Sequence, residues 1–165
     1  MAGSDRHDVL EKVLRSYEAY YDVNRENPMP PFAAEASFAI HSEGYMLIKA
    51  AKLASYDAQE YVFFAEGKTL GLHTAQMLAD KVWEETLARA IPKENHKSTD
   101  GILVIVADAI DKEAASYIKK ERRYQSYRHG LYGSSTLRIV ARDLQEQKTW
   151  TNRHGRDLEQ LFRDK

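Results

Sequence analysis

The stretch Gly101-Ile102-Leu103-Val104-Ile105-Val106-Ala107 decides the fold class. It is short, β-branched and unbroken by any polar residue, so it reads as a buried strand. At this length it is far too short to span a bilayer. The elements on either side determine what kind of sheet it joins.

On its N-terminal side, Leu70, Met77, Leu78, Val82, Trp83 and Leu87 recur through a long segment, predicting a helix over about Thr69–Ile91 that Pro92 stops. Three strands are expected before it. In Phe32–His41, Phe32, Ala34, Ala36, Phe38 and Ile40 alternate onto one face, and Ala33, Glu35, Ser37, Ala39 and His41 take the other. Ser42-Glu43-Gly44 reads as a hairpin turn into a second strand, Tyr45 to about Tyr56. The third strand is Glu60–Glu66, and the three suggest an antiparallel meander. The chain begins with a helix over about Asp8–Val23, whose Val9, Leu10, Val13, Leu14, Tyr17, Tyr20 and Tyr21 share a face. Asn27-Pro28-Met29-Pro30-Pro31 ends it in extended chain.

On the C-terminal side, Asp111 caps a short helix to Lys120. Strands follow at about Arg122–Gly130 and Thr136–Asp143, joined by a turn around Gly133. A short strand at Lys148–Thr151 and a helix near Arg156–Phe162 close the chain. The order is α-βββ-α-β-α-βββ-α. Strands in runs with interspersed helices predict an α+β fold, a largely antiparallel sheet packed by helices on a face. With 165 residues and no linker, a single domain over 1–165 is expected.

The chain has no cysteine, which removes disulfides, thiolate nucleophiles and thiolate metal sites. The polar N-terminus lacks an apolar signal segment, so a cytoplasmic location without a membrane partner is expected. Net charge is −1 but uneven: residues 1–82 hold 8 Lys/Arg and 12 Asp/Glu, and residues 83–165 hold 16 and 13. Within 117–156 there are 10 basic and 3 acidic residues. This local excess points toward an anionic partner.

Several blocks recur in a familiar order: Tyr20-Tyr21-Asp22-Val23, Ala34-Glu35-Ala36-Ser37-Phe38, Glu60-Tyr61-Val62-Phe63-Phe64, Pro92-Lys93-Glu94-Asn95-His96, Ser126-Tyr127-Arg128-His129-Gly130-Leu131-Tyr132-Gly133 and Thr151-Asn152-Arg153-His154-Gly155. From about residue 16 to 162 the chain resembles a family of short bacterial proteins of unknown function, common in anaerobes. The resemblance implies a whole stand-alone protein and brings no activity, cofactor or catalytic residue with it. It implies that Glu35, Glu60, His96, Ser126 and Asn152 sit in recognisable blocks, which can mark a fold as well as a site.

Four constellations can carry chemistry. Asp57 followed by Glu66-Gly67-Lys68 satisfies the acid, then acid-x-Lys pattern of Mg²⁺-dependent nucleases with a restriction-endonuclease-like core, with Glu60 as a helper. There two carboxylates hold the metal and the lysine positions water. Solvated charges bordering a sheet account for the same residues. Glu35, Ser37 and His41 share one strand face that can line a polar pocket. Ser37 and His41 are about 13 Å apart, at roughly 3.3 Å per residue, and cannot act as a nucleophile–base pair. The six histidines show no metal-ligand spacing, and a structural or surface role is favoured.

The fourth is Lys119-Lys120-Glu121-Arg122-Arg123-Tyr124-Gln125-Ser126-Tyr127-Arg128-His129. Read as a strand, it interleaves cations with aromatics, with Arg138 and Arg142 on the next strand. Such faces contact phosphates and stack bases, clamp small anions, or lie solvated on an exposed strand. The leading expectation is therefore a non-enzymatic binding or self-associating domain. Its basic, Tyr-rich face for an anionic ligand comprises Arg122, Tyr124, Arg128, His129 and Arg138. Candidate partners are that ligand, nucleic acid included, and a second copy as a homodimer; no cofactor and no metal are expected. The alternative is the Mg²⁺ nuclease.

Overall fold

The computed structural model describes residues 2–40, 57–94 and 96–163. The elements are α1 (Ala2–Glu18), β1 (Asp22–Asn24), β2 (Ala34–Ile40), β3 (Asp57–Leu70), α2 (Leu72–Arg89), β4 (His96–Ile110) and α3 (Lys112–Lys120). These are followed by β5 (Tyr124–Ser126), a 3-10 turn (Arg128–Gly130), β6 (Ser134–Asp143), β7 (Lys148–Thr151) and a 3-10 segment (Arg153–Phe162). The strand expected over Tyr45–Tyr56 and the turn before it lie outside the described residues.

The seven described strands form one sheet in the order β1-β2-β3-β4-β6-β5, with β7 also paired to β6. Four of its six pairings are antiparallel, as the α+β reading expects. The two central ones, β3 with β4 and β4 with β6, are parallel. A parallel pair needs a long crossover, and α2 and α3 lie in those connections.

Helices cover both faces of this sheet rather than one. Along β3, Val62 and Phe64 point to one side and Phe63 and Ala65 to the other, all four buried. Phe63, Leu103, Ile105, Leu137 and Ile139 pack with Leu78, Ala79 and Val82 of α2 and Ala114 and Ile118 of α3. Val62, Phe64, Ile102, Val104 and Val140 pack with Leu10, Val13, Leu14 and Tyr17 of α1 and with Leu158. This is why the central run carries no alternation: a strand covered on both sides is apolar at every position. Among the described residues, no helix is long and apolar enough to cross a membrane.

The expected strand Arg122–Gly130 is cut to Tyr124–Ser126. Beyond it the backbone turns: Arg128 and His129 take positive φ of 51° and 54°, and Tyr127 N–H donates to Gly133 O at 2.9 Å. The alternating face of Arg122, Tyr124, Ser126 and Arg128 therefore does not form. The terminal helix expected near Arg156–Phe162 is a 3-10 segment that starts at Arg153.

Candidate functional site

One edge of β6 determines the site. β5 pairs there over Ser134–Thr136 and β7 over Val140–Asp143, leaving a gap at Leu137–Ile139. Asn152 fills that gap and is fully buried. Its Oδ1 accepts from Ile139 N–H at 2.9 Å, its Nδ2 donates to Leu137 O at 2.9 Å, and its own N–H donates to Ile139 O at 3.2 Å. Three residues on, Gly155 sits so close that a Cβ would collide with Ile139 O, so the chain crosses the sheet edge only with glycine there. The 3-10 segment is thus pinned where β5 and β7 part.

A cavity of about 620 Å³ opens at this junction. Lys119 from the end of α3, Arg122 from the connection to β5, and Arg153 and Arg156 from the 3-10 segment line it, beside Trp150. None of these four cations forms an ion pair with a described residue. Lys119 instead places its Nζ 5.5 Å from the centre of the Trp150 ring. The cavity's carboxylate, Glu159, lies 3.8 Å from Arg163. The nearby His154 imidazole is held below its ordinary pKa, first by burial and then by the charges of Arg122, Arg153 and Arg138. Four cations therefore line this cavity against one carboxylate, Glu159, and that one is paired with Arg163.

Beside the cavity, on the α1 face, lies a charged network. Arg138 Nη2 reaches both oxygens of Asp157, at 2.6 and 2.5 Å, and its Nε donates to His154 O at 2.9 Å. Its Nη1 is 3.9 Å from Glu60, whose carboxylate accepts the Tyr21 hydroxyl at 2.9 Å. Burial works to lower the Arg138 pKa; the hydrogen bond and charge of Asp157, then the charges of Glu60 and Asp100, outweigh it and raise it. Asp100, paired in register with Glu60 across β3 and β4, is pushed up to about 6. Burial is the main cause, Arg138 opposes it, and Glu60 and Asp157 add to it.

The expected ligand face divides. Arg122 enters the cavity. Arg138 is committed to Asp157 and Glu60, and Arg123 to Asp80 at 2.6 Å and Glu121 at 2.9 Å. Tyr124 stays exposed on β5, and Arg128 leans over Tyr132 in the 3-10 turn at 5.3 Å, with His129 exposed beside it. Arg142 bonds Thr149 and Gln147. Arg122 is joined in the cavity by Lys119, the first residue of the basic stretch, and by Arg153 and Arg156, which lie outside that stretch. All four lie within the charge excess over 117–156, and Arg153 stands in one of the recurring blocks.

Asp57, Glu66 and Lys68 are spread along one strand, β3. Asp57 and Glu66 are nine residues apart, about 30 Å along the strand at roughly 3.3 Å per residue. Glu66 faces Arg6 at 3.7 Å. No three His, Asp or Glu side chains among the described residues group to hold a metal ion. Glu35 accepts Met29 N–H at 2.7 Å and pairs with Arg89 at 3.1 Å. With Ser37 it lines a cavity of about 360 Å³ at the β1–β2 edge; His41 lies outside the described residues. His96 is buried, with Nδ1 2.6 Å from Tyr132 O and Nε2 2.7 Å from Thr99 Oγ1, a structural role.

Two of these contacts join recurring blocks to one another, Tyr21 to Glu60 and His96 to Tyr132, and Asn152 ties a third block to the centre of β6. Comparison with curated proteins and with solved structures finds no match. A family model matches residues 5–164, and the chain thus belongs to the family described as a domain of unknown function, DUF8052.

Proposed function

We propose that the protein is a binding domain for an anionic ligand, received in the cavity between α3, β7 and the 3-10 segment. One observation carries the reading: Lys119, Arg122, Arg153 and Arg156 line a single cavity, and none of them forms an ion pair with a carboxylate among the described residues, the cavity's own Glu159 lying against Arg163 instead. Holding four cations together costs Coulomb energy that an anion in the cavity recovers. Three arginines supply planar forks suited to phosphate or carboxylate oxygens, and Lys119 adds a point charge. The volume lies within the range of small-molecule sites.

Isothermal titration with inorganic pyrophosphate tests this. Binding is expected to weaken as salt rises. Each of Arg122→Ala, Arg153→Ala and Arg156→Ala should lower affinity roughly tenfold, at the scale of one charge-assisted hydrogen bond. Unchanged binding in all three variants, or no binding at low salt, refutes the reading.

A further inference from the structure

The basic cavity has a neighbour of different character. A second cavity, of about 570 Å³, shares Lys119 and Trp150 with the first, so the two meet at that pair. Ile110, Ala115 and Trp150 give it apolar surface, and Lys112 and Lys148 stand among its lining residues. Lys112, Ala115, Ser116 and Lys119 recur at helical spacing, so one face of α3 forms its wall. Two carboxylates also line it: Asp143, whose oxygens are both committed to backbone, Oδ2 to Ile110 N–H at 2.9 Å and Oδ1 to Glu146 N–H at 2.8 Å, and Glu146, set against the four lysines of the lining.

We infer that the two cavities form one site for a nucleotide unit. The phosphates lie among Lys119, Arg122, Arg153 and Arg156, and the base lies against Trp150, over Ile110 and Ala115. The inference rests on the anion-binding reading above and adds the second half of the ligand. A bare anion would leave the second cavity unused. An alkyl chain would meet the lysines along it. A heterocyclic base presents a flat face to the indole and polar edges to Lys112 and Lys148, and base–aromatic stacking is indifferent to sequence. A free nucleotide and a nucleotide within a single strand share this chemistry. In a duplex the bases are stacked inside and out of reach of Trp150.

The test compares inorganic tripolyphosphate, ATP, a short oligo(dA) strand and its duplex by calorimetry on the full chain. ATP is expected to bind roughly tenfold tighter than tripolyphosphate, the contribution of one stacked base. Two variants should abolish that difference. Trp150→Leu removes the stacking surface. Ser116→Phe fills the second cavity from an exposed helix position, where folding is not at stake, and should leave tripolyphosphate binding unchanged. Tighter binding of oligo(dA) than of ATP, with weak duplex binding, identifies single strands as the source; the reverse order identifies free nucleotides. Equal affinity for ATP and tripolyphosphate overturns the base subsite while leaving the anion site standing, as does a gain that survives Ser116→Phe. Failure of every probe overturns both.

Discussion

At the scale of single residues, the recurring blocks are fold determinants before they are anything else. Asn152 supplies the hydrogen bonds that a missing strand would have made to β6. Gly133, at φ +86°, sits where any Cβ would strike His96 and the backbone beside it. Sequence alone could mark these residues but not say why, because the partners of Asn152 lie 13 and 15 positions away and the Tyr132 carbonyl that meets His96 lies 36 away. Asp100 was not singled out at all: an acid beside a buried run reads as the strand's solvated end. The structure instead half-buries it on the α1 face near Glu60 and Arg138. Its pKa is raised, so the protonated form is favoured in the folded state. The stabilisation is present in full below the unfolded value near 4 and is lost as pH rises through about 6. Asp100→Asn keeps an acceptor for the Thr136 backbone and removes the charge. It should match the wild type at about pH 4 and exceed it at pH 8 by on the order of 2–3 kcal/mol, read from urea denaturation at both pH values. An equal or lower stability of the variant at pH 8 would show that Arg138 compensates the half-buried carboxylate in full.

At the scale of elements, periodicity found the helices and the central strands, because each buries a regular stripe. It misjudged their lengths: β4 runs His96–Ile110, well past the apolar run, and β3 runs Asp57–Leu70. Pairing continues beyond the core where backbone hydrogen bonds remain to be made, and side-chain polarity does not report that. The opposite error at β5 has a local cause, the left-handed pair Arg128–His129, which turns the chain before the basic residues can line up. Their alternation predicts a strand face, and the basic cavity is instead assembled from a helix end, a connection and a 3-10 segment. The 3-10 segment is attached to the α1 face through Arg138, which holds Asp157 and the His154 carbonyl at once. Arg138→Met preserves the stem that lies along the sheet and removes the tether. Hydrogen exchange is expected to accelerate over Arg153–Phe162, whereas amides of α2, on the other face, keep wild-type protection. Uniform loss of protection would mean that Arg138 supports the whole sheet and not this segment.

At the scale of the molecule, two cores share one sheet, and this makes a prediction about cooperativity. Phe63 and Phe64 are adjacent, both fully buried, and face opposite sides. The central strands β3, β4 and β6 each carry the α1-side core on one face and the α2–α3-side core on the other, so neither layer can lose these strands without the other. Trp83 and Trp150 both pack against the α2–α3 side, so tryptophan emission reports on that layer alone. Phe64→Ala opens a cavity on the α1 side, where Tyr17 meets the ring at 5.3 Å between centroids. The loss should be about 3–5 kcal/mol, as for other buried phenylalanines. If the sheet couples the layers, the urea midpoint followed by tryptophan emission shifts as far as the midpoint followed by far-UV circular dichroism, and the two transitions coincide. If the α1 layer unfolds separately, the dichroism transition moves to lower urea or splits while the tryptophan midpoint stays in place. The parallel centre of the sheet favours the first result. β3, β4 and β6 each take both long neighbours or both faces from sequence-distant elements, so a defect on one side is felt through the shared strands.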